Sequence, residues 1–145
     1  ITVRKGFNVT KCCHIRKYFR SIRDKFKRFF SEDEDEQIVF SKDDFFENIQ
    51  DDYKISYIIP NAQKNEMEPI LIELKKGKNS MEIDPHDGEE FGYVIHGKIT
   101  LMNGDDEYEV KKGETFYLKG NLPHYIVNKH DTLAKVIWVS TPPIF

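Results

Sequence analysis

This sequence has little of what stabilises small secreted domains. Its only cysteines, Cys12 and Cys13, are adjacent. Neighbouring cysteines bridge one another only under strain, and there is no wider set from which to build a disulfide framework. Two reduced thiols in a cytosolic, cytoplasmic protein are therefore expected. A metal cluster of Cys12, Cys13 and His14 is disfavoured because three successive residues converge poorly on one ion. No run of eighteen apolar residues occurs, which excludes a bilayer-spanning helix. The first ten residues carry Arg4 and Lys5 with no apolar stretch behind them, so they do not read as a secretory signal. The chain begins with Ile1 rather than Met, from which further upstream sequence is expected.

What is present is unevenly distributed. The 145 residues suffice for one buried core with an appendage, and the formal net charge is −3. Ten Lys or Arg fall within residues 1–30 against a single acid, Asp24. Apolar residues Ile15, Tyr18, Phe19, Ile22, Phe26, Phe29 and Phe30 recur at steps of three and four, the period of one helix face. The spacing predicts a basic amphipathic helix over 14–30. Such a helix can pack its stripe on the protein body, lie on an anionic surface or grip nucleic-acid phosphates in a salt-sensitive way. Five successive acids, Glu32–Glu36, then repel one another and read as a solvated linker. The expected division is 1–36 for helix and linker, 37–64 for a connecting segment that joins the barrel, and 65–145 for the folded domain.

Beyond the linker, short stretches rich in β-branched and aromatic residues recur at close spacing. They cover 53–59, 69–74, 91–95, 99–102, 108–110, 115–118, 124–127 and 135–139. Asn103-Gly104 marks a hairpin because both residues tolerate positive φ. Many short strands with frequent turn signals predict an all-β sandwich or barrel. Trp138, in the last strand, is expected to pack. His96 and His130 are expected at the surface and in a loop.

Two glycine-punctuated segments carry the chemistry. One runs from His86 through Glu90 to His96-Gly97; the other runs from Gly113 through Pro123-His124 to Asn128. Their spacings resemble the two motifs of the cupin superfamily, with two departures. Asp84 stands where the first motif has its first His, and Lys119-Gly120-Asn121 replaces the Pro-x-Gly turn. The resemblance covers 65–145 and implies a small double-stranded β-helix (jelly-roll) barrel. Carried over position by position, it implies that His86, Glu90 and His124 meet inside the barrel, with Asp84 at the rim. Independently of family, two imidazoles and a carboxylate are the donor set of a facial triad for Fe(II), or of a three-ligand site for Zn, Mn or Ni. The alternative is a hydrogen-bonded polar pocket without a metal.

A finer resemblance lies in Gly88–Ile95, in the ending Val136–Phe145, and in the acidic joint after Phe29-Phe30. These are similar to the cupin half of XRE-type transcription regulators, whose helix-turn-helix domain precedes it. The resemblance implies a homodimer through cupin faces, a small-molecule effector or metal in the barrel, and DNA as partner. The DNA-binding half is expected to be truncated or degenerate here, since residues 1–14 show no helix-turn-helix pattern. A small metal-dependent cupin enzyme, of dioxygenase or isomerase type, is the competing expectation.

Overall fold

The computed structural model of the chain describes residues 37–145; the helix expected over 14–30 lies outside them. Among the described residues, nine antiparallel strands form two sheets. In chain order they are β1 (Phe46–Ile49), β2 (Tyr53–Tyr57), β3 (Glu68–Leu74), β4 (Glu89–His96), β5 (Lys98–Asn103), β6 (Asp106–Lys111), β7 (Thr115–Lys119), β8 (His124–Val127) and β9 (Ala134–Thr141). The larger sheet has the order β1-β2-β3-β9-β4-β7, the smaller β6-β5-β8. The only helical turns among the described residues are two 3-10 turns, Lys42–Asp44 and Ala62–Lys64.

Alternation explains why these segments are strands with one wet face. In β3 and β9 every second residue is buried: Ile70, Ile72 and Leu74 in one, Ala134, Val136 and Trp138 in the other. A period of two places those residues on one side of the pleat. With Val94, Ile99, Leu101, Val110, Phe116, Leu118 and Ile126 they form a single cluster drawn from both sheets. The sheets therefore close on one core. Trp138, fully buried, meets Phe116 and Phe145 edge-on at centroid distances of 5.4 and 5.7 Å. Burying one such side chain contributes roughly 1.5–3 kcal/mol.

Two local features differ from the sequence reading. Residues 42–52 carry no strand signal in the sequence, yet they supply the first 3-10 turn and β1, which joins the expected β2 at the edge of the larger sheet. The β5–β6 hairpin also turns one residue later than expected. Asn103 pairs with Asp106, so the two-residue loop is Gly104-Asp105, and Gly104 takes φ of 60°. Positive φ at the first loop residue matches the twist of a tight hairpin and costs glycine nothing. Asn103 is thereby retained as a strand residue, paired with His124 on β8.

Candidate metal centre

Glu90 is the second residue of β4, paired with Leu118 on β7 and Ser140 on β9, and only 1% exposed. His124 opens β8 and is fully buried. Residues before β4 run antiparallel to β8: Ile83 and His124 exchange backbone hydrogen bonds of 2.9 and 3.1 Å. That pairing carries His86 toward His124. The His86 amide donates to the Gly120 carbonyl at 2.6 Å, and the Gly120 amide donates to Gly88 at 3.1 Å. A Cβ added at Gly120 would overlap the His86 ring. The glycine in Lys119-Gly120-Asn121 is what lets the imidazole lie against the backbone.

The three side chains converge. His86 Nε2 lies 2.8 Å from Glu90 Oε1, and His124 Nε2 lies 2.7 Å from the same oxygen. The candidate ligand atoms of all three lie within 4.8 Å of one another, and the imidazole centroids are 5.6 Å apart. Asp84 does not join them; it is exposed and lines a separate shallow pocket beside Tyr53 and Met81.

His124 Nδ1 lies 2.8 Å from the Leu122 carbonyl and donates its proton there. In neutral His124 the Nε2 lone pair would then face Glu90 Oε1, acceptor against acceptor. Such a contact holds only with a proton or a cation between the two atoms. Burial pushes the His124 pKa down, but the Glu90 carboxylate and the Leu122 carbonyl outweigh it and hold the imidazolium above its ordinary value. Glu90 Oε2 is also buried without a hydrogen-bond partner. Buried polar atoms normally find partners, and leaving one without costs about 1–3 kcal/mol. Three candidate ligand atoms gathered this closely, in a nitrogen-nitrogen-oxygen set, fit a divalent cation.

Two neighbouring residues border the triad: Asn103, which the sequence reading placed in the turn, and Trp138, which packs in the last strand as expected. Asn103, beside His124 in register, has its Oδ1 buried and unpartnered; placing the turn one residue later would have revealed it as a strand residue. Trp138 lies 6.1 Å from His124 between ring centroids, and its Nε1 is buried and unpartnered. Asn128, part of the second motif, ties the loop before β9 instead. Its Nδ2 donates to Leu74 and Thr132, and its Oδ1 accepts from His130. His96 is exposed, its ring nitrogen 2.9 Å from the Leu133 carbonyl, and His130 sits in the β8–β9 loop.

Comparison with known proteins agrees with this architecture. Residues 70–140 match the cupin domain family Cupin_2. The HTH-type transcriptional regulator PuuR of Escherichia coli K12 is 27% identical over 121 residues, which are 81% of this chain and 65% of the regulator. The chain thus spans less than two thirds of that relative's length. Among solved structures, the Cupin_2 domain of an XRE family transcriptional regulator from Enterobacter cloacae superposes with a TM-score of 0.57. It is 18% identical and covers 63% of this chain and 98% of its own. The FeII form of HppE superposes at 0.62 with 20% identity, covering 74% of this chain and 62% of its own. Residues 70–140 thus carry the sequence match of a cupin domain, and the described strands share the fold of the cupin domain of an XRE family regulator.

Proposed function

We propose that this domain is the sensor portion of a transcription regulator and that it holds a divalent cation on His86, Glu90 and His124. The observation that carries the metal reading is the gathering of the three ligand atoms within 4.8 Å of one another about the shared Oε1, with Glu90 Oε2 buried and unpartnered. A bound cation would supply positive charge and open coordination positions for an effector. The chain's own part is to present neutral imidazole nitrogens and a carboxylate, and to exclude water with the surrounding strands. The regulator reading is supported by the sequence relation to PuuR.

An effector has a place to enter. A cavity of about 770 Å³ opens between β6 and β7, with Leu101, Val110, Phe116 and Leu118 on its apolar wall and Asn103 among its polar groups. Asn103 and Leu118 are the register partners of His124 and Glu90, so the cavity wall adjoins the triad. To switch anything, an effector must bind one arrangement of the protein more tightly than another. A homodimer would supply those arrangements. Phe91, Tyr93 and Ile95 alternate with buried residues along β4 and remain 41, 40 and 37% exposed, with Tyr117 beside Phe91 at 63%. An apolar strip of this kind on a sheet face marks an interaction surface.

The test is metal analysis of protein purified without chelator, alongside His124→Ala, followed by DNA mobility-shift assays with and without EDTA. About one zinc, iron, manganese or nickel per chain is expected in the wild type, and a loss of most of it in the variant. Wild-type protein without stoichiometric metal would overturn the metal reading, and DNA binding indifferent to both metal and effector would overturn the sensor reading. The second reading, a small metal-dependent enzyme, is favoured by the likeness to FeII HppE. Oxygen uptake by Fe(II)-loaded protein in the presence of small organic acids separates the two.

A further inference from the structure

A second concavity of about 400 Å³ shares no lining residue with the triad and lies where β1, β2 and the turn before β3 meet the C-terminal segment. Three aromatic residues, Phe46, Tyr57 and Phe145, help to wall it. The Phe46 and Tyr57 rings are 5.8 Å apart and tilted by 43°, and Phe46 is 66% exposed. The charged residue in the wall is Glu68, which is 1% exposed.

Glu68 has no cationic partner among the described residues. Its Oε1 accepts from the Gln63 side-chain amide at 3.0 Å, and its Oε2 accepts from the Phe145 backbone amide at 2.8 Å. Both donors are neutral. Each carboxylate oxygen accepts two hydrogen bonds, so one site on each remains. A buried carboxylate without a counter-charge is costly, and neutral donors offset only part of that cost. Its charge is felt inside the cavity: the Tyr57 phenol is held above its ordinary pKa, first by burial and then by Glu68.

We propose that this cavity binds the alkylammonium group of a small organic cation, with Glu68 as counter-charge and Phe46, Tyr57 and Phe145 as its walls. Aromatic faces carry negative potential and attract cations, while their area suits the methyl and methylene groups around an ammonium nitrogen. A neutral apolar molecule would fill the walls and leave Glu68 uncompensated. An anion would be repelled.

The experiment titrates isopropylammonium chloride and, separately, its neutral counterpart isopropanol into the full chain, following backbone amide NMR signals. EDTA is present throughout, and His124→Ala is run in parallel, so the triad takes no part in the result. Saturable shifts centred on Phe46, Tyr57 and Gln63 are expected, with the ammonium bound about tenfold more tightly than the alcohol. Glu68→Gln should abolish that preference. Phe46→Ala, at a 66% exposed position on the edge strand β1, should weaken the ammonium about threefold. Equal binding of the two probes, no saturable binding at millimolar concentration, or shifts centred on His86 and His124 would overturn the proposal. So would an unchanged preference in a folded Glu68→Gln protein.

Discussion

At the scale of single residues, the site is a problem in proton and cation occupancy. With Nδ1 committed to Leu122, His124 has one position left, for which a proton and the proposed cation would compete. The sign follows from the raised pKa. Stability from the protonated imidazole is fully present below the unfolded value and is lost as pH rises through the folded one. Cation binding runs the other way. The gain in melting temperature on adding zinc to chelator-treated protein should therefore grow between a pH below the ordinary histidine value and pH 8. A gain that shrinks over that range would contradict cation binding at Nε2. Glu90→Gln removes the anionic oxygen while keeping its shape, and should weaken cation affinity by at least about tenfold in a competition assay with a metallochromic dye. Gly120→Ala pushes on the His86 ring from outside the donor set. It should cost about tenfold in the same assay with little change in far-UV circular dichroism.

At the scale of elements, β9 is the central tie. It pairs with β3 on one side and β4 on the other, and it presents Trp138 to the interior beside Phe116, Phe145 and His124. Trp138→Ala should destabilise the domain by about 3–5 kcal/mol, measured by urea unfolding, because the surrounding strands cannot collapse into the space. Much of this layer was legible beforehand. The β-branched and aromatic content of 69–74 and 135–139 foretold β3 and β9. The β1 strand was not legible, because Phe46–Ile49 has no buried residue and owes its form to pairing with β2. The position of the β5–β6 turn was blurred because Asn103 and Gly104 both suit a turn, and only cross-strand register separates them.

At the scale of the whole molecule, the exposed strip on β4 predicts self-association. Light scattering should report a dimer mass at micromolar concentration, and Tyr93→Lys should return the monomer with its melting temperature nearly unchanged. The substituted position faces outward, so a charge there meets a neighbour only in an assembly. A monomeric wild type would remove the support for a dimer-based switch. The described residues contain no helix long and apolar enough to cross a membrane.

The order of residues by itself determined that strands would form, because β-branched and aromatic content and turn chemistry act within a few residues. It also determined the types and spacing of the donor residues in the two glycine-marked segments. The motif resemblance implied that His86, Glu90 and His124 would meet, but tertiary structure sets their distances and leaves Asp84 apart from them. That outcome depends on the pairing of Ile83 with His124 and on the close approach of Gly120, contacts between residues some forty positions apart. It alone also set Glu68 without a counter-charge against an aromatic wall, since Phe46, Tyr57 and Phe145 become neighbours only when β1, β2 and the C-terminal segment pack together.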